Sequence, residues 1–213
     1  MTSAKKPLLI VVALVALAAG VILFVLPAET GYDPTGMGEA TGLNKIADPD
    51  NPELERGMAR METQDVLKLG EAAQVPEGSV TDTWEVELAP FESIEFKYEI
   101  AEGQPIDFNW EATGPVHYDM HAHPYEGGEE LTESYAIDDA QRMQGTYTPA
   151  FTGIHGWFWE NRSMDNVTLR LEATGLMTHS TVFGSTAISE RPIEGAGPRP
   201  QGSAEGHAMQ NTE

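Results

Sequence analysis

Nineteen consecutive residues, Leu8 to Leu26, carry neither a charge nor a side-chain hydrogen-bonding group, and Lys5 and Lys6 stand just before them. A helix rises about 1.5 Å per residue, so this stretch reaches roughly 28 Å, close to the roughly 30 Å of hydrocarbon in a bilayer. The spacing therefore predicts one membrane-spanning helix over 8–26. The two lysines hold residues 1–7 as a cytoplasmic stub and send everything after Pro27 to the far side. A cleaved secretory signal would begin the same way. Its apolar middle is shorter, about 7–15 residues, and Pro27 at the scission point suits a small-residue cleavage site poorly. An uncleaved anchor is the reading taken. No cysteine follows the apolar run, so no lipid can be attached there.

Of the 12 basic residues in the chain, Lys5 and Lys6 belong to the stub, which leaves 10 against 34 acidic ones beyond it, a net of −24. Such a surface repels nucleic acid and anionic lipid. It is compatible with a saline setting, with attraction for cations or with simple solubility. The absence of cysteine excludes disulfides, thiol catalysis and thiolate–metal sites.

Residues 27–80 read as an extended spacer, rich in Gly, Pro, Thr and Asp. Asn51-Pro52 offers a helix start, and Leu54, Met58, Met61, Val66 and Leu69 give an approximate helical stripe ending at Gly70. From Thr83 the apolar period changes to two. Trp84, Val86 and Leu88 alternate with polar residues, then Ile94, Phe96, Tyr98 and Ile100, then Ile106, Phe108 and Trp110. Thr113-Gly114-Pro115 reads as a break before Val116, Tyr118 and Met120. An acidic loop is expected over 127–139, with a short strand near Ser134–Ile137. Further strands fall at 145–148, 154–160 and 167–171. Seven or eight short strands over 81–178 define an all-β fold class, an antiparallel two-sheet sandwich of jelly-roll type. The Gly- and Pro-rich residues 189–213 read as a disordered tail.

The block Gly145-Thr146-Tyr147-Thr148, turning through Gly153 into Ile154-His155-Gly156-Trp157-Phe158-Trp159-Glu160-Asn161, resembles the end of a GOLD domain, the β-sandwich of the emp24/p24 family. The p24 cysteines are missing, and the membrane span precedes the domain rather than following it, so cargo-receptor function is not implied. Together with Tyr32-Asp33-Pro34-Thr35-Gly36 and the His121 segment, the chain is similar to short bacterial proteins called transmembrane anchor proteins. That resemblance implies an inner-membrane protein facing the periplasm, with a periplasmic or membrane protein as its partner.

The densest chemical signal is His117-Tyr118-Asp119-Met120-His121-Ala122-His123. On a strand, His117, Asp119 and His121 share one face, spaced so that two side chains can close on one ion. His155, flanked by Gly153 and Gly156, would complete the set from another strand, with His123 as a further donor. Zinc, copper or nickel suits such ligands. Two other readings stay open: solvated surface histidines with a buried His155, and a pH-sensing cluster whose protonation the nearby carboxylates favour. Trp157-Phe158-Trp159 points to a central, doubly covered strand. No G-x-S-x-G elbow, phosphate-binding glycine loop or H-E-x-x-H helix occurs, so the expectation is a binding module without catalysis.

Overall fold

The computed structural model describes residues 5–47, 49–70 and 74–200, which form two compact units, Met1–Asn51 and Pro52–Glu213. The first is built on one helix, Pro7–Thr30, long and apolar enough to cross a membrane. It comprises α1 (Lys5–Gly20), a π-helical turn at Val21–Val25 and α2 (Leu26–Thr30), and stops where Gly31 takes φ 68°. Residues 31–47 are not the extended spacer expected. They hold α3 (Met37–Thr41) and α4 (Asn44–Ala47). The cause is local. The Asp33 carboxylate accepts the Glu39 N–H at 2.9 Å, and Gly38 leaves room for a close approach: a Cβ there would lie 2.1 Å from Asn44 Oδ1 and 2.4 Å from Pro27 Cβ.

Among the described residues the second unit is a nine-stranded antiparallel sheet with one α-helix. Its elements are α5 (Pro52–Met61), β1 (Leu67–Leu69), β2 (Val80–Leu88), β3 (Ser93–Ile100), β4 (Ile106–Pro124), β5 (Glu133–Tyr147), β6 (Gly153–Glu160), β7 (Val167–Gly175), β8 (His179–Phe183) and β9 (Ile188–Pro192). Hydrogen bonds link them in the order β1-β5-β4-β6-β3-β8-β9, with β7 joining β4 to β2.

Strand β4 is the organising element. Its residues 107–112 pair with β7 and its residues 117–124 pair with β6, while β5 pairs with it on the other side over 106–111 and 116–122. The partner changes at a register shift between Glu111 and Val116. Gly114 and Pro115 sit there, so the expected break is an irregularity inside one 19-residue strand. Proline and glycine are tolerated in a strand where the ladder is interrupted. Inward-facing alternate residues fill the interior. Trp110, Trp157, Trp159, Phe96, Tyr98 and Tyr147 are all buried, with Trp157 and Trp159 stacked at 5.7 Å and Trp110 edge-on to Trp159 at 5.8 Å. As expected from its aromatic run, β6 is central, held between β3 and β4.

The strand region extends beyond 81–178 at both ends. Leu67–Leu69, taken from the sequence as the end of a helix, pairs with Gly145–Tyr147. Ile188–Pro192, all but its first residue in the segment expected to be disordered, pairs with β8, and Ile193 is buried after it. Residues 201–213 of that segment lie outside the described residues. The acidic stretch 127–139 is a short 3₁₀ turn at Gly128–Leu131 followed at once by β5.

Candidate functional site

On the sheet face away from the tryptophans, β3, β6, β4 and β5 bring two rows of side chains together. One row runs Lys97, Gly156, His121, Ser134; the next runs Glu95, Phe158, Asp119, Ile137. Gly156 carries no side chain, which leaves the space between Lys97 and His121 clear. The Lys97 ammonium donates to the His121 carbonyl at 3.1 Å and lies 3.1 Å from Glu95 Oε1. His121 Nε2 is 3.0 Å from the same Glu95 oxygen, and its Nδ1 is 3.2 Å from the Asp119 carbonyl. Ser134 Oγ donates to Asp119 Oδ2 at 3.1 Å, while Asp119 Oδ1 is buried without a partner among the described residues.

Electrostatics follow from enclosure. The Lys97 side chain is completely buried, and burial pulls its pKa down to about 8 despite the Glu95 carboxylate beside it. Glu95 keeps about a third of its side chain exposed. Burial raises its pKa, but the His121 hydrogen bond and the Lys97 charge outweigh that and hold it at about 2. The pair is an ion pair with both members tied to His121. Removing either would leave an uncompensated charge indoors.

The sequence places five residues in a candidate metal set, and the structure divides them. His117 lies at the rim with Nδ1 2.8 Å from Asp139 Oδ1. Asp119 and His121 belong to the cluster above. His123 is nearly buried, its pKa lowered by burial and by the Lys97 charge. His155 is not on this face. It stands opposite Tyr98 and Ala122, whereas its neighbour Gly156 stands opposite Lys97 and His121. Successive strand residues point to opposite sides, so His155 points into the core. There the Tyr147 hydroxyl is 2.8 Å from its Nδ1, and burial drives its pKa down to about 3. His155 therefore cannot close the expected set around one ion, and His121 already has an acceptor at each ring nitrogen. Among the described residues no group of three or more His, Asp or Glu side chains is placed to hold a metal ion.

Glu95 and Lys97 were invisible as site residues because alternation assigns them to solvent. The available signal was that Lys97 is the last lysine in the chain, alone in an acidic strand region. A second polar chain runs to the core from α5: Arg60 pairs with the nearly buried Glu133, which accepts from the Tyr135 hydroxyl at 3.0 Å. Two cavities, of about 270 and 520 Å³, are lined by residues of neither network.

No family model and no curated protein matches the chain. Among solved structures, the chain is similar to the Yersinia pseudotuberculosis-derived mitogen, at 12% identity and a TM-score of 0.36 over 54% of this chain and 98% of that one. It is also similar to a sugar phosphate isomerase of the cupin superfamily from Silicibacter pomeroyi DSS-3. There the identity is 12% and the TM-score 0.27, over 62% of this chain and 92% of that one. Scores this low carry no argument about activity.

Proposed function

We propose that the chain is a single-span inner-membrane protein whose β domain, folded as two packed antiparallel layers in the manner of a GOLD-like sandwich, faces the periplasm and acts as a non-enzymatic adaptor for another protein. The observation that carries this reading is the engagement of the reactive side chains with one another. Lys97, Glu95, Asp119 and His121 are joined into one network, and His155 is buried against Tyr147. Such groups hold a fold together. A catalytic site needs a base or nucleophile facing an open cleft, with its proton partner in reach. The apolar helix Pro7–Thr30 supports anchoring, and the strongly acidic exterior favours partners with basic surfaces.

The test is photocrosslinking of the full chain in its native membrane. A photoreactive amino acid is placed one position at a time across the exposed residues of β2, β7, β5 and the Gly128–Leu131 turn. A discrete adduct confined to one surface is expected. Adducts at no position would overturn the adaptor reading.

A further inference from the structure

Sheets end in strands with unpaired backbone groups, and folded proteins blunt such edges with short strands, prolines or cover. Two edges here are blunt: β1 has three residues, and β9 has five and ends at Pro192. Strand β2 is different. It runs nine residues without proline or register shift and, among the described residues, pairs only with β7. Its start is closed, because Arg191 bridges both Asp82 oxygens at 2.8 Å and Gly195 packs beside Val80. Residues 83–87 are open.

Both faces of that open stretch are incomplete in a defined way. On the outer face, Glu85 stands opposite Arg170, Arg170 opposite Glu111, and Glu111 opposite Arg142. Charge thus alternates acid, base, acid, base across four strands and stops at an acid on the edge. Glu87, two residues on, shares that face and uses one oxygen to accept from Asn166 Nδ2 at 3.0 Å. On the inner face Trp84 and Val86 are only half-buried, although Trp84 packs on Phe96 at 4.6 Å and the next inward residue, Leu88, is fully covered. Cross-strand pairs of opposite charge stabilise a ladder, and like charges oppose it. The missing neighbour is therefore basic on one face and apolar on the other. Residues 201–213 of this chain contain no lysine or arginine and do not fit that pattern.

We infer that β2 takes up an extended segment of a partner protein as an added strand, with Lys or Arg at alternate positions facing Glu85 and Glu87 and apolar residues between them covering Trp84 and Val86. Main-chain hydrogen bonds supply the affinity and the alternate side chains supply the selection. This inference rests on the adaptor reading and names the site and the chemistry of what it binds.

The probe is a capped octapeptide of alternating arginine and valine, added to the full chain in nanodiscs of zwitterionic lipid. Controls are the glutamate–valine counterpart and two N-methylated forms of the arginine peptide, one methylated at every arginine and one at every valine. The arginine peptide should bind at least about tenfold more tightly than the glutamate peptide and slow hydrogen exchange within residues 80–88. Only one of the methylated forms should lose binding, because a strand offers alternate amides to its neighbour. A Glu85→Gln, Glu87→Gln variant should bind about tenfold more weakly with unchanged exchange elsewhere. Binding that survives both methylations, protection outside β2, or no binding would overturn the inference. If it fails while photocrosslinks still form on another surface, only the assignment to β2 falls; if no crosslinks form anywhere, the adaptor reading falls with it.

Discussion

The absence of a side chain at residue 156 leaves an open lane between Lys97 and the carbonyl of His121. A Cβ at Gly156 would lie 1.9 Å from the Phe96 oxygen, so no other residue fits there without moving β3. The imidazole next to it in sequence has the opposite fate. Enclosed and neutral, His155 would take up a proton below about pH 6.5 once unfolded, but in the folded chain only near 3. The unfolded state then binds more protons across that range, so stability is full above about 6.5 and is lost as pH falls toward 3. His155→Phe keeps an aromatic ring beside Phe151 and removes that proton. Urea midpoints of the variant should decline less than those of the parent between about pH 6.5 and 5.5, above the range in which Glu95 titrates in either state. Parallel declines would contradict the assignment.

Helix α5 is docked by three contacts that need no apolar stripe. Gly57 lies against the Ser134 backbone, where a Cβ would meet the carbonyl oxygen at 1.8 Å; Arg56 donates to the Thr132 carbonyl at 2.8 Å; and Arg60 pairs with Glu133. Gly57→Ala has a better helix propensity by about 1 kcal/mol and should nonetheless destabilise the domain by about 2 kcal/mol or more, because the helix must lift from β5. Limited proteolysis in the 61–66 connection, faster in the variant, checks it. These elements also show what could be read without coordinates. Period-two alternation located β2, β3, β6 and β7. What it misassigned was exposure where both faces are covered, as in Phe96 to Ile100, which includes the buried Lys97 and Glu99. It failed again for β1 and β9, too short to display a period, and at Pro115, a residue that ordinarily ends a strand. The His117–His123 cluster was legible as a shared face. That His155 lies on the other face depends on register, which one strand's pattern does not contain.

At the scale of the whole molecule, the sequence has 34 acidic residues and no cysteine, and among the described residues one helix apolar enough to cross a membrane precedes a β domain. The missing cysteines give a clean test of orientation. Met164→Cys in the turn between β6 and β7, a position 77% exposed, should react with a membrane-impermeant maleimide in cells whose outer membrane alone is opened. Labelling only after the inner membrane is broken would reverse the proposed topology. The cohesion of that domain comes from β4, which lends one half of its length to β7 and the other to β6. A shared spine of this kind makes the two halves hostages to each other: a nick or misfold in either should unravel both, and neither can be excised as an autonomous module.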